Sequence, residues 1–274
     1  MSRRHVSHLA ALIILMSAGF APAGHAATEL VFADGFDGTF SYRIDSLTLH
    51  DPHVWANFIG CSDLTSQLNT SQQSALQDDS DQDGFLDASF VLRLLPLDQS
   101  DGAMEESDLA FGPSCYAPAT SGICIAGGST TFVTTYTSQT SGTCLAPIAG
   151  TTRATYGALN SPGAPCFATA ATTVNVSLSG IPLALHDTRV AATYSATPAT
   201  NLTSGLLFGF VTQADADATI LSASLPVIGG KPLSAVLAGG TNACPAFSDM
   251  DTNNAVAGWW FYFDFTATQV DYVP

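Results

Sequence analysis

The chain has 274 residues, with 23 acidic and 7 basic side chains and a formal net charge of -16 at pH 7. Phosphate backbones and anionic membrane surfaces select basic faces, so this charge argues against nucleic acid as a partner and against attachment to such membranes. Cations are the partners that the composition favours. A hydrophobic fraction of 46% supplies enough apolar surface for a sizeable core.

Residues 1–26 have the pattern of a signal peptide. Arg3 and Arg4 precede an apolar run at 9–16, and small residues end the segment. The run is too short to span a bilayer, and no later run is long enough and apolar enough to do so. We therefore expect no membrane insertion. Loss of the two arginines leaves five basic residues against all 23 acidic ones. We predict a secreted or periplasmic protein.

Two regions follow the predicted leader. Residues 27–39 combine turn-forming residues with a few apolar ones, and we expect them to form an extended N-terminal arm, with a disordered segment as the alternative. Residues 40–274 contain no long Pro-rich or Gly/Ser-rich linker and no repeat of fixed period. We therefore expect one β-rich, calcium-binding domain there.

Strand patterns dominate this domain, with the clearest alternation of apolar and polar residues at 173–178. The strands predicted in chain order are 40–49, 88–95, 131–137, 173–178, 188–194 and 258–268. Helical patterns are fewer, and they lie at 66–77, 205–221 and 233–237. This combination predicts a mainly β fold, a single β-sandwich-like domain with a few short helices and long loops.

An acidic segment at 79–87 has carboxylates at positions 1, 3, 5 and 9 and a glycine at position 6. Alternate side chains can converge on one Ca²⁺ ion, and Gly84 permits the sharp turn that wraps the backbone around it. We predict calcium as the cofactor, bound by the side chains of Asp79, Asp81, Asp83 and Asp87 and by the backbone carbonyl of Phe85. The alternative is a metal-free turn held by hydrogen bonds to the aspartates.

Repulsion is the physical reason to expect an ion in this segment. Each pair of like charges about 4 Å apart costs on the order of 1 kcal/mol in water, and about 4 kcal/mol at an effective dielectric constant near 20. A divalent cation removes this cost, so we expect the loop to become ordered when Ca²⁺ binds.

The nine residues at 79–87 resemble the calcium loops of thrombospondin type 3 repeats and dockerins. The resemblance implies a structural use of Ca²⁺, although those families place such loops in arrays or pairs and this chain has one clear copy. Phe90 stands at position 12, where an EF-hand has a bidentate glutamate. We therefore expect weak affinity, with a dissociation constant of about 10⁻⁴–10⁻³ M.

Six cysteines follow the predicted leader, and an even number in an exported chain indicates disulfides. Fifteen connectivities are formally open. Spacing favours two local bridges and one long-range bridge, namely Cys115–Cys124, Cys144–Cys166 and Cys61–Cys244. A zinc cluster would need cysteine pairs two to four residues apart, and the sequence has none. The bridges are expected to pin the loop-rich middle of the chain.

A weaker acidic pattern lies near the other end of the chain. Asp249, Asp251 and Asn253 stand at loop positions 1, 3 and 5, and Asn254 can replace glycine at position 6. Ala257 at position 9 leaves the pattern without a fourth ligand. These three residues are a candidate second metal site, and a simple turn is the alternative.

Aromatic residues are concentrated at 259–265. Alternation places Trp259, Phe261, Phe263 and Phe265 on one face of a strand, which we expect to be core. The other face carries Trp260 and Tyr262. They are a candidate ligand platform on which sugar rings could stack, or they lie under a second layer.

Catalytic candidates are few. His50, His53 and His186 have no triad context in the sequence, and no G-x-S-x-G motif occurs. We therefore favour a non-catalytic calcium-binding protein with a structural or surface-interaction role, whose partner is a cell-surface polysaccharide or protein. A carbohydrate-binding module that uses Trp260 and Tyr262 is the alternative, and a secreted hydrolase is the third hypothesis.

Overall fold

The computed structural model describes residues 39–274, except residues 58, 179, 224 and 242. The predicted signal peptide, and the predicted arm up to residue 38, lie outside the described residues. The strands of the described chain are β1 (Phe40–Asp51), β2 (Trp55–Asn57), β3 (Cys61–Asp63), β4 (Phe90–Leu95), β5 (Met104–Phe111), β6 (Ser114–Cys115), β7 (Ile123–Ile125), β8 (Thr130–Gln139), β9 (Cys166–Thr169), β10 (Thr172–Leu178), β11 (Ile181–Tyr194), β12 (Asn201–Thr212), β13 (Asp251–Asn253) and β14 (Val256–Val273). The α-helices are α1 (Thr65–Gln77) and α2 (Gln213–Ala218), and three 3₁₀ turns lie at Ala119–Ser121, Ala154–Tyr156 and Leu233–Val236.

Eight antiparallel strands close into a barrel in the order β1, β4, β5, β8, β9, β11, β12 and β14. The last of them, β14, pairs with β1 from Ser41 opposite Val270 to Asp51 opposite Tyr262. The predicted β-sandwich is therefore wrong. Alternation gives each strand one buried face in either architecture. Pairing between the first and last barrel strands distinguishes the barrel from the sandwich. This pairing joins distant segments, so no local sequence pattern predicts it.

Side chains fill the interior of the barrel, as expected for eight strands. Phe261, Phe263 and Phe265 of β14 point inward and are at most 3% exposed. Trp259 is fully buried, and its Nε1 donates to the Ala238 carbonyl at 3.0 Å. The prediction that these four aromatic residues belong to the core is confirmed.

Most predicted elements are confirmed in position, with shifted ends. The strands predicted at 40–49, 88–95, 131–137, 173–178, 188–194 and 258–268 correspond to β1, β4, β8, β10, β11 and β14, and the helix at 66–77 is α1. The segment predicted at 233–237 forms a 3₁₀ turn at Leu233–Val236.

The helix predicted at 205–221 is wrong, because most of this segment belongs to β12 and only α2 is helical. Both faces of β12 are buried. Leu207 and Val211 lie in the barrel core, whereas Leu206, Phe208 and Phe210 lie in a second apolar cluster. Burial on both sides produces a continuous apolar run, whose periodicity does not distinguish a strand from a helix.

This second cluster covers the outer face of the barrel and includes the predicted ligand platform. Trp260 is 6% exposed and Tyr262 is fully buried. Leu145, from the 140–165 loop, packs in the same cluster. The platform prediction is therefore wrong, because this loop forms a second layer over both rings.

The Tyr262 hydroxyl anchors the covering loop, since it accepts a hydrogen bond from Ile148 N at 3.2 Å and shares another with Thr151 Oγ1 at 2.5 Å. We expect Tyr262→Phe to lower the free energy of unfolding by about 1 kcal/mol, because the ring stays and the hydrogen bonds are lost. Urea denaturation measures this change. Tyr272→Phe is the matched control, because no hydrogen bond of the Tyr272 hydroxyl occurs among the described residues. An equal loss in both variants would contradict the anchoring role.

Three disulfides are present, and their pairing is the predicted one. The Cα atoms are 5.3 Å apart in Cys61–Cys244, 3.9 Å in Cys115–Cys124 and 6.0 Å in Cys144–Cys166. Cys144–Cys166 ties the covering loop to β9. Cys115–Cys124 joins β6 to β7, and β7 runs parallel to the end of β14. One bridge thus ties the covering loop to the barrel wall, and another closes a hairpin that is attached to the wall by strand pairing.

Helix α1 lies against β1 and leads into the acidic segment. The Asn69 side chain exchanges two hydrogen bonds with the backbone of Leu49, at 2.8 and 2.9 Å. Arg43, which is 5% exposed, donates from its guanidinium to the Leu76 carbonyl at 3.0 Å. A cation at this place neutralises the partial negative charge of the helix C-terminus. These contacts fix where the following loop begins.

Candidate metal centre

The acidic segment forms a closed loop between α1 and β4. Asp87 N donates to the Asp78 carbonyl at 3.0 Å, and Ala88 N donates to the Ala75 carbonyl at 2.8 Å. These bonds join the two ends of the loop immediately after the helix. The loop is therefore anchored at its base by the helix that precedes it.

Three of the four predicted carboxylate ligands converge. Asp79, Asp81 and Asp87 each offer one oxygen, and these oxygens lie within 4.8 Å of one another. Calcium–oxygen distances are about 2.3–2.6 Å, so two ligands of one ion lie at most about 5 Å apart. The spacing thus fits one Ca²⁺ ion.

The fourth predicted carboxylate, Asp83, lies in the turn between these ligands. Its Oδ1 accepts from Phe85 N at 2.8 Å, and its own N–H donates to Asp79 Oδ1 at 3.0 Å. Such bonds also occur in a metal-free aspartate turn. A carboxylate has about four acceptor sites, so one backbone hydrogen bond does not exhaust the capacity of Asp83. Its role as a ligand stays a prediction.

Gly84 has a φ of +91°, a left-handed conformation that β-carbon-bearing residues rarely adopt. This is the turn expected at position 6. The next residue, Phe85, forms an antiparallel bridge with Tyr116, flanked by bonds from Leu86 N to Cys115 O and from Ala117 N to Gly84 O, each 2.9 Å. In such a bridge the N–H and C=O of the paired residue point away from the partner. The Phe85 carbonyl therefore lies on the loop side, as its predicted role requires.

The loop also contacts the disulfide-bonded β6–β7 hairpin. The rings of Phe85 and Tyr116 lie 4.9 Å apart. Leu86 is 6% exposed and packs with Cys115 and Cys124 in a third apolar cluster. The shape of the loop therefore positions the hairpin on the barrel.

Charge in the loop is not balanced by neighbouring side chains. Asp81, Asp83 and Asp87 are exposed, and Asp79 is partly buried. The ion pairs among the described residues involve Asp63, Asp108, Asp215, Asp249 and Asp264, and none of them is a loop residue. Neighbouring like charges therefore repel one another unless a cation is present.

Two residues of the candidate second metal site already have protein partners. Asp249 pairs with Arg153, with 2.5 Å between Nε and Oδ1, and its side chain is 3% exposed. Asn253 lies in β13, where its side chain donates to Asp187 Oδ2 at 2.6 Å. These contacts give Asp249 and Asn253 protein partners, and the second metal site stays a prediction.

Asp51 and Asp251, together with Asp249 and Arg153, line a polar cleft. Burial and the nearby Asp249 and Asp251 raise the pKa of Asp51 to about 7, and a backbone hydrogen bond from Arg153 only partly opposes this. Burial and Asp249 raise the pKa of Asp251 to about 6. Sequence reasoning missed Asp51 and Arg153, which lie 102 residues apart and have no shared motif.

Each of the three histidines in the described part of the chain lies beside a carboxylate. The nitrogen–oxygen distances are 3.1 Å for His50–Asp264, 2.5 Å for His53–Asp63 and 2.9 Å for His186–Asp215. Among the described residues, no hydroxyl or thiol hydrogen-bonds to any of these rings.

Fold and site together define a disulfide-bonded, eight-stranded antiparallel barrel that presents an acidic loop beside α1. No family model, curated protein or solved structure matches this chain. No helix in the described part of the chain is both long enough and apolar enough to cross a membrane. Three disulfides are typical of proteins in oxidising compartments.

Proposed function

We propose that this chain is a secreted or periplasmic, non-catalytic protein in which Ca²⁺ orders the 79–87 loop. The observation that carries this proposal is the convergence of Asp79, Asp81 and Asp87, with oxygens within 4.8 Å. The inward-facing Phe85 carbonyl and the Asp83 carboxylate complete an oxygen-rich ligand set of the kind that Ca²⁺ prefers. The signal-peptide pattern and the three disulfides support the proposed export.

A structural role suits this loop better than a signalling role. Sensor EF-hands respond to Ca²⁺ by changing the angle between two helices. Here the segment after the loop is β4, a strand of the barrel wall, and Phe90 at its start is 4% exposed and packs against Phe111. The ion therefore stiffens the connection between α1, β4 and the β6–β7 hairpin.

The two other hypotheses have less support. Burial of Trp260 and Tyr262 removes the observation on which the carbohydrate-binding alternative rested. A secreted hydrolase has one feature in its favour, the carboxylate-lined cleft at Asp51 and Asp251. We propose a surface polysaccharide or protein as the partner of the ordered loop region, because this acidic face changes charge when Ca²⁺ binds.

Isothermal titration of the purified protein with CaCl₂ tests the proposal. We expect one site with a dissociation constant of about 10⁻⁴–10⁻³ M. Asp81→Ala combined with Asp83→Ala should abolish it, whereas Glu106→Ala combined with Asp271→Ala, which removes the same charge from exposed strand positions, should leave it unchanged. Absence of binding, or equal binding by both double variants, would overturn the proposal.

A further inference from the structure

A cleft of about 330 Å³ opens at the end of β1, away from the calcium loop in sequence. Its walls are Asp51, the 150–154 segment of the covering loop and the 248–251 segment that leads into β13. The proposed calcium site uses none of these residues. The volume is that of a small organic molecule rather than a single ion.

The one guanidinium in the cleft wall is already engaged. Arg153 Nε donates to Asp249 Oδ1 at 2.5 Å, and its NH2 nitrogen donates to the Ser248 carbonyl at 2.7 Å. The guanidinium also lies 4.0 Å from the centre of the Phe247 ring. Tyr156 donates to the other Asp249 oxygen at 2.6 Å. Arg153 thus compensates Asp249 and holds the wall in place.

Asp51 has no such compensation. The residue is 4% exposed, and Arg153 N donates to its Oδ2 at 2.7 Å, while its Oδ1 makes no hydrogen bond within the described part of the chain. Asp251, which also lines the cleft, has no ion-pair partner among the described residues. Buried carboxylates are normally paired with a cation or fully hydrogen-bonded. Two carboxylates that face one cavity and form no ion pair of their own therefore indicate a cationic ligand.

The cleft carboxylates do not converge as the carboxylates of the 79–87 loop do. Among the described His, Cys, Asp and Glu side chains, the group whose ligand atoms approach within 4.8 Å is Asp79, Asp81 and Asp87, and the cleft carboxylates are not part of such a group. An ammonium group has different requirements, because it donates several N–H···O bonds of about 2.8 Å to acceptors in different directions. A ligand with two amines can also contact carboxylates that are further apart.

We propose that this cleft binds a small organic ligand that carries protonated primary amines, with Asp51 and Asp251 as the ammonium acceptors. The charged groups around Asp51 are Asp249, Asp251, Arg153 and His50, and Asp249 is the charged neighbour of Asp251. Three carboxylates against one guanidinium leave the cleft anionic. Asp249 and Arg153 position the wall and do not themselves hold the ligand.

Titration calorimetry at about pH 8 and low salt tests this assignment, since both carboxylates are ionised there and screening is weak. The probes are 1,4-diaminobutane and the side-chain amine of acetyl-lysine amide, which represent a free polyamine and a protein lysine. Butane-1,4-diol is the neutral control. We expect at least one amine to bind, the diol not to bind, and the stronger amine to identify the natural source.

Asp51→Asn and Asp251→Asn should each weaken amine binding by about tenfold or more, because each removes a charge-assisted hydrogen bond. Asp271→Asn, an exposed carboxylate on β14, is the matched control and should leave the affinity unchanged. If Asp51→Asn fails to fold, the partly exposed Asp251 provides the test alone.

Three results would overturn the assignment. They are the absence of amine binding, binding that survives both asparagine variants, and a calcium site that persists in the Asp81→Ala and Asp83→Ala protein but disappears with Asp51→Asn. The last result would make the cleft a metal site. If calcium binding is lost only in the loop variants, the calcium site lies in the loop, and the amine titrations alone then decide the amine assignment. The two proposals can therefore fail separately.

Discussion

Addition of about 10 mM Ca²⁺ should stabilise the purified protein by about 1.5–3 kcal/mol. This range follows from mass action on a site with a dissociation constant of about 10⁻⁴–10⁻³ M that the unfolded chain lacks. For a domain of this size, the melting temperature should rise by roughly 3–10 °C. Differential scanning calorimetry with and without excess chelator measures the shift.

The rise should depend on the converging carboxylates of the loop. The Asp81→Ala and Asp83→Ala double variant should melt at the same temperature with calcium and with chelator. In the absence of calcium the relief of repulsion offsets the loss of the hydrogen bonds that the Asp81 and Asp83 carboxylates accept, so its stability should be close to that of the native chain. The Glu106→Ala and Asp271→Ala double variant should retain the full calcium response. Identical melting curves of the native protein in the two conditions would remove the stabilising role of the ion.

Asp51→Asn should stabilise the protein at pH 8 and have little effect at pH 4. The pKa of Asp51 is raised from its ordinary value near 4 to about 7 by burial in the folded chain. The carboxyl group therefore contributes stability below pH 4, and this contribution is lost as the pH rises through 7. Asparagine cannot ionise, and it preserves an acceptor for Arg153 N. The gain at pH 8 should be on the order of 2–4 kcal/mol.

Urea denaturation between pH 4 and 8 checks this result. The native protein should lose stability over this interval, and Asp51→Asn should lose less. His50 contributes in the same direction, because its hydrogen bond to Asp264 raises its pKa, and stability present below pH 6.5 disappears as the ring deprotonates. Asp271→Asn should follow the native curve. Parallel curves for the native protein and Asp51→Asn would contradict the prediction, because they would show that ionisation of Asp51 does not lower the free energy of unfolding.

Local patterns predicted much of the candidate site. The positions of Asp79 and Asp81, and the glycine between the ligands, define the calcium-loop sequence within nine residues. The structure brings these two carboxylates together with Asp87. Such a loop can be read from sequence because its ligands are neighbours in the chain, and their convergence depends on a single turn at Gly84. Cysteine spacing worked for a related reason, since two of the three bridges are local.

Local patterns were insufficient where a distant segment decides the environment. Trp260 and Tyr262 alternate with core residues as an exposed face would, but the 140–165 loop covers them. Asp249 stands at position 1 of a metal-loop pattern, yet Arg153 is its partner. The burial of a side chain and the partner of a charge depend on which segments are in contact in the folded chain. No periodic sequence pattern predicts either of them.

The amino-acid sequence by itself determined the strand-rich character, the two local disulfides and the ligand pattern of the 79–87 loop, because each depends on short-range spacing and alternation. Only the tertiary structure decided that β1 and β14 close a barrel, that β12 is a strand covered on both faces, and that Asp51 and Asp251 line one cleft. The physical reason is that these features come from contacts between segments far apart in the chain. The free energy of these contacts comes from buried surface and from interactions between charges, and both exist only in the folded chain.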